Sequence, residues 1–109
     1  MAIHLNAASL TVDVIEAAPN RIEMKGALTF ETARRAREES LKILNGSQSR
    51  ETLAVDCSGV GESDSAGLAM LVDLLAHATA RGRGVVFSNL PAGIVAVAKI
   101  SDVDVILGV

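Results

Sequence analysis

Two short apolar runs separated by one amphipathic segment most constrain the fold of this 109-residue chain. Residues 52–56 and 85–88 are nearly all apolar, as expected for strands covered on both faces. Between them, residues 65–81 have the apolar spacing of a helix that faces a sheet. The apolar stripe of that helix consists of Leu68, Leu71, Val72 and Leu75. A strand, a helix and a second strand in this order predict a parallel sheet.

The N-terminal part of the chain predicts a hairpin followed by a helix. Residues 10–15 and 21–25 are rich in β-forming residues and flank the turn signal Ala18-Pro19-Asn20, so we expect them to pair antiparallel. A charged helix is expected to begin at Thr29 or Phe30 and to continue to residue 44, where an Asn-Gly pair ends it.

The C-terminal part predicts one more helix and one more strand. Gly82 and Gly84 end the central helix, Pro91 suits the first turn of a helix over residues 92–100, and residues 103–107 are expected to form a last short strand. The order β-β-α-β-α-β-α-β predicts the α/β class. We expect one domain over residues 1–109, with a mostly parallel sheet of four to five strands and an antiparallel N-terminal edge.

Composition excludes several classes of function. Phe30 and Phe87 are the only aromatic residues, so sugar binding and base stacking are disfavoured. The net charge of −3 argues against binding to a nucleic-acid backbone. Cys57 is the single cysteine, which fits a reducing compartment, and the N-terminus has no pattern of a signal peptide. We therefore expect a cytoplasmic protein.

The loop at residues 56–68 presents a hydroxyl, that of Ser65, where a helix exposes unpaired backbone N–H groups. Ser65 is expected either to cap the helix or to serve as a docking or modification site, and the sequence leaves both open. Asp64 is expected to cap the loop. Gly67 is expected to allow close approach, either of the sheet or of a partner's backbone.

No catalytic or metal-binding set can be assembled from the sequence. Ser65 and His77 lie roughly 18 Å apart along the helix at about 1.5 Å per residue, which is too far for a nucleophile and its base. His4 lies near the terminus, and Cys57 follows a strand with no His nearby. Neither a phosphate-binding glycine loop nor metal-ligand spacing is present. We expect a binding protein that needs no cofactor or metal and is not an enzyme.

The stretch from residue 52 onward resembles a known family. The strand before Asp56, the loop ending in Glu62-Ser63-Asp64-Ser65-Ala66-Gly67-Leu68 and the following helix resemble the STAS domain, the fold of anti-sigma factor antagonists. The resemblance implies a STAS-like α/β fold. It also implies that Ser65, next to the loop aspartate, is the regulatory position.

Within that family, residues 67–76 and 96–100 look most like MlaB, the small STAS subunit of the bacterial phospholipid ABC transporter. This resemblance implies docking on the transporter's cytoplasmic ATPase, peripheral to the inner membrane. The implied contact residues are Ser65, Asp64, Ala66, Gly67, Met70, Asp73 and His77. The alternative is an anti-sigma factor antagonist that a partner kinase phosphorylates on Ser65. That branch commonly has two hydroxyl residues before the glycine, where this chain has Ser65-Ala66.

Overall fold

A computed structural model describes residues 11–108 of the chain. In chain order its elements are β1 (Val12–Ala18), β2 (Arg21–Leu28), α1 (Ala33–Asn45), β3 (Leu53–Ser63), α2 (Ser65–Ala80), β4 (Val85–Ser88), α3 (Ala92–Ile100) and α4 (Asp104–Leu107). The described strands form one sheet in the order β1-β2-β3-β4. β1 pairs antiparallel with β2, whereas β2 with β3 and β3 with β4 pair parallel. The predicted α/β class and the antiparallel N-terminal edge are confirmed. Leu10, the first residue of the predicted first strand, lies outside the described residues.

The core lies between the sheet and the helices that pack on one of its faces. Ile22, Val55 and Phe87 are buried together with the inner faces of α1 and α2. Burial alternates along β2 and β4, so that Lys25 and Val86 are exposed, whereas residues 53–57 of β3 are all buried or partly buried. The expectation that strand 85–88 is covered on both faces is therefore wrong, whereas the strand at residues 53–56 is at least partly covered on both. Alternation is the pattern of strands that bury one face only.

Helix α2 is buried over a wider arc than its predicted stripe. Leu68 and Leu71 are buried as expected, but Val72 and Leu75 are only partly buried. Leu74 and Met70 are buried instead, although the resemblance implied that Met70 is a contact residue. The physical reason is that α2 packs against α1 as well as against the sheet, so a second flank of the helix loses contact with water.

Helix α1 begins later than predicted because a side chain holds the preceding turn together. The Thr32 hydroxyl accepts a hydrogen bond from the Thr29 N–H (3.0 Å) and donates one to the Ala27 carbonyl oxygen (2.8 Å). The helix starts at Ala33, so the expectation of a start at Thr29 or Phe30 is wrong. Phe30 consequently lies in the loop between β2 and α1.

The expected last strand is also wrong, since this segment forms the short helix α4. After α3 the chain turns at Asp102, whose φ of +58° is in the left-handed region. The Val103 N–H bonds to the Ala98 carbonyl oxygen at 2.9 Å and the Asp102 N–H bonds to the Lys99 carbonyl oxygen. This pair of bonds is a Schellman motif, which turns the chain back toward the helix it has just left. Residues 103–107 therefore do not continue as an extended strand beside the sheet.

Asp56 joins three parts of the sheet. Its carboxylate accepts hydrogen bonds from the Asn89 side chain (3.0 Å) and the Ser58 backbone N–H (2.9 Å), and it pairs with the Arg21 guanidinium (3.0 Å). The bond from Asn89, followed by those from Ser58, lowers the pKa of Asp56 below its ordinary value of 3.8. Strand β2 and the loop after β4 are thus held to β3 by one charged group.

The start of α2 lies against the end of β2, where Gly67 allows a close approach. A Cβ at position 67 would collide with the backbone carbonyl oxygen of Leu28. Because that oxygen belongs to the sheet, it cannot move aside as a flexible side chain would. Gly67 was expected to allow close approach either of the sheet or of a partner's backbone. The structure shows close packing of the helix on the sheet.

We expect Gly67→Ala to lower the free energy of unfolding by roughly 1–3 kcal/mol, the usual cost of forcing an atom into a packed region. The matched control is Gly61→Ala, because a Cβ there would meet only the Gly26 oxygen at 4.0 Å. Urea denaturation followed by circular dichroism would measure both. Equal stability of the two variants would contradict the close approach.

Candidate functional site

The first turn of α2 is capped by Asp64. Its Oδ1 accepts hydrogen bonds from the backbone N–H groups of Ala66 (2.9 Å) and Gly67 (3.3 Å), while its own backbone is extended. Asp64 is therefore the N-cap of α2, whereas the sequence had suggested only that it caps the loop. Ser65 is the first residue of the helix, and the capping role left open for it is filled by its neighbour.

The second carboxylate oxygen of Asp64 reaches another loop. Its Oδ2 accepts a hydrogen bond from the backbone N–H of Phe30 at 3.1 Å. One side chain thus joins the β2–α1 loop to the start of α2. The Phe30 side chain itself is 80% exposed. Phe30 was not among the predicted contact residues, because the sequence pattern placed it at the beginning of a helix.

The Ser65 side chain is exposed and makes no hydrogen bond with any of the described residues. A hydroxyl can both donate and accept, so it is available to a partner's polar group or to a phosphoryl donor. Its position beside the helix N-terminus also suits an anionic group electrostatically. The neighbouring carboxylates of Glu62 and Asp64 oppose that effect.

A groove of about 400 Å³ runs between α1 and α2. It is lined by Ala33, Arg34, Arg37, Ala66, Ala69, Met70 and Asp73. Small and apolar side chains form much of its lining. Arg37 and Asp73 pair across it, with 2.6 Å between Nε and Oδ2, and both side chains remain substantially exposed. The groove is therefore an apolar surface with one ion pair spanning it.

The remaining predicted contact residues fall into different environments. Ala66 and the largely buried Met70 line the groove, whereas Gly67 is buried against the end of β2. Asp73 lines the groove, where its carboxylate forms an ion pair with Arg37. His77 lies a turn farther along, half exposed, with Nδ1 at 2.8 Å from the Asp73 carbonyl oxygen. The structure thus places Ser65, Asp64 and Ala66 together, and leaves His77 at the far end of the groove.

Cys57 has the environment of a structural residue. It is 1% exposed, and burial, with a smaller contribution from the negative charge of Asp56, raises the pKa of its thiol from 9.0 to about 12. The thiol is therefore protonated at neutral pH and is a poor nucleophile. His4 lies outside the described residues. Between residues 11 and 108, no group of three or more His, Cys, Asp or Glu side chains is placed to hold a metal ion.

A family model described as "Mlab, STAS domain" matches residues 11–108, nearly the whole chain. The chain belongs to the STAS domain family. The resemblance inferred from the loop and the following helix is thereby confirmed. STAS domains are in general regulatory or protein-binding domains and not enzymes. No helix within the described part of this STAS domain is long and apolar enough to cross a membrane.

Solved structures show the same fold in larger proteins. A structure described as "The overall structure of SLC26A9" is similar to 82% of this chain with a TM-score of 0.64 at 21% identity. A second, described as "Crystal Structure Analysis of Mglu", is similar to 73% of the chain with a TM-score of 0.55 at 16% identity. The domain covers only 17% and 20% of those two chains, and at these identities the likeness establishes the fold alone. No curated protein sequence matches the chain.

We expect Asp64→Ala to lower the free energy of unfolding by about 1 kcal/mol, because two helix N–H groups lose their acceptor. Asp64→Asn keeps an amide oxygen that can cap the helix, so its loss should be smaller. Ser65→Ala is the matched control and should leave stability unchanged, since its hydroxyl is exposed and unbonded. Urea unfolding of the three variants would measure this order. Destabilisation by Ser65→Ala as large as that by Asp64→Ala would contradict the assignment of the cap.

Proposed function

We propose that this STAS domain is a non-enzymatic subunit that docks on the cytoplasmic ATPase of a bacterial phospholipid ABC transporter and supports its assembly. The observation that carries the proposal is the exposed hydroxyl of Ser65, which makes no hydrogen bond within residues 11–108 and is held on a capped helix start. The description of the matching family as Mlab supports the transporter branch of the family. So does the resemblance of residues 67–76 to MlaB.

The surface around Ser65 has the properties of a docking site for a folded partner. Ser65, Ala66 and Ala69 have small side chains, so a partner's backbone can approach α2 closely. The cap by Asp64 holds the first turn in one geometry, which reduces the entropy lost when a partner binds. In this proposal Ser65 makes the central contact, and Asp73 and His77 lie at the periphery.

The proposal predicts that Ser65→Arg weakens binding to the purified ATPase subunit by at least about tenfold, because a long charged side chain would prevent close approach to α2. The matched control is Ser101→Arg, which places the same side chain at an exposed position just after α3. Binding would be measured by isothermal titration calorimetry, and thermal unfolding would show that both variants fold. Equal affinities for the two variants would refute the docking site at Ser65.

The same exposed hydroxyl supports a second candidate, an anti-sigma factor antagonist controlled by a kinase. Phosphorylation of Ser65 would add about 1.5 to 2 negative charges beside Glu62 and Asp64 and would change the surface that a partner meets. This candidate predicts a phosphate mass shift after incubation with a co-encoded anti-sigma factor kinase and ATP, absent in Ser65→Ala. It also predicts loss of binding to that kinase once Ser65 is modified. If wild type binds the transporter ATPase and gains no phosphate, the second candidate is excluded.

A further inference from the structure

We infer that Phe30 is the apolar anchor of this docking surface and inserts into an apolar pocket of the ATPase that has basic side chains at its rim. The inference rests on the proposed function and names a contact that the resemblance did not supply. Phe30 is 80% exposed, whereas the other aromatic residue, Phe87, is 9% exposed. Aromatic side chains bury a large apolar area on binding, and they are frequent among the residues that dominate interface energies.

The backbone that carries Phe30 is held from both sides. The Phe30 N–H donates to Asp64 Oδ2, and the preceding Thr29 N–H donates to the Thr32 hydroxyl at 3.0 Å. The Thr32 hydroxyl in turn donates to the Ala27 carbonyl oxygen. A side chain on an ordered backbone loses less conformational freedom on binding than one on a mobile loop. The backbone that presents the phenyl ring is therefore preorganised for binding.

Phe30 and Ser65 belong to one surface because the Asp64 carboxylate binds both segments. Oδ2 receives the Phe30 N–H, while Oδ1 caps the helix that begins at Ser65. The groove between α1 and α2 starts beside them, with Ala33 three residues after Phe30 and Ala66 directly after Ser65. A single partner surface can therefore contact the ring, the hydroxyl and the groove together.

The charges around this surface indicate the chemistry of the partner's rim. Glu31 and Glu62 are exposed and flank the two loops. Two arginines of α1 are already paired, Arg34 with Glu38 at 3.1 Å and Arg37 with Asp73. At about 100° per residue, Arg35 projects from the side of α1 opposite Arg37. The unneutralised charge next to Phe30 is thus acidic, and lysine or arginine side chains around the partner's pocket would complement it.

The test compares Phe30→Ala and Phe30→Leu with Ile100→Ala in titrations against the purified ATPase subunit. Ile100 is the matched control, because it is 84% exposed and ends α3. We expect Phe30→Ala to weaken binding by at least about tenfold, Phe30→Leu to weaken it less, and Ile100→Ala to stay within about twofold of wild type. The thermal midpoints of all three should match wild type, since each replaced side chain is exposed.

A second measurement addresses the basic rim. The double variant Glu31→Gln/Glu62→Gln should slow association with the ATPase at low salt and reduce the dependence of the association rate on ionic strength. Stopped-flow mixing at two salt concentrations would measure this. If the association rate of the double variant depends on salt as strongly as that of wild type, the proposal of basic side chains at the rim is refuted.

The outcomes separate the anchor from the docking itself. If wild type binds the ATPase and Phe30→Ala binds equally well, the anchor is overturned and the proposed function stands. If Ile100→Ala weakens binding as much as Phe30→Ala does, the effect is not specific to Phe30 and the anchor is again overturned. If wild type does not bind the ATPase, the proposed function fails and the anchor fails with it.

Discussion

The candidate site depends on the two oxygens of the Asp64 carboxylate. One oxygen satisfies backbone N–H groups in the first turn of α2, and the other holds the backbone of Phe30. These contacts join two connections that leave the same end of the sheet, after β2 and after β3. Gly67 adds a steric requirement, because α2 starts so near Leu28 that no side chain fits between them. Ser65 is consequently held in place by its neighbours, although its own side chain makes no hydrogen bond in the part of the chain that the structure describes.

The sequence predicted those parts of the structure that depend on local pattern. Strand pairing at the N-terminus, the extent of α2 and its stop at Gly82 follow from periodicity and turn chemistry. The parts it missed depend on tertiary contacts. Met70 is buried because α1 packs beside it, which a single helical stripe does not reveal. Residues 103–107 have strand-like composition. The Schellman motif after α3 reverses the chain direction there, and the short helix α4 follows in place of a strand.

The candidate site was also predicted only in part, because some of its contacts are local in sequence and others join distant parts of the chain. Asp64 was expected to cap the loop, and the helix cap was left open for Ser65, because a carboxylate and a hydroxyl at neighbouring positions both suit an N-cap. Phe30 lies 34 residues away in the sequence, and a hydrogen bond from its backbone brings it to the site. Backbone hydrogen bonds leave no side-chain signal in the sequence. The available signal was compositional, since a chain with only two aromatic residues has few ways to build an aromatic anchor.

The buried thiol of Cys57 has a practical consequence for studying this surface. It is the single cysteine of the chain, and with a pKa of about 12 and 1% exposure it offers almost no thiolate to an alkylating reagent. A cysteine introduced on an exposed loop would therefore be the one reactive thiol of the folded protein. Spectroscopic probes or crosslinkers can be attached at a chosen position while the native cysteine stays in the core.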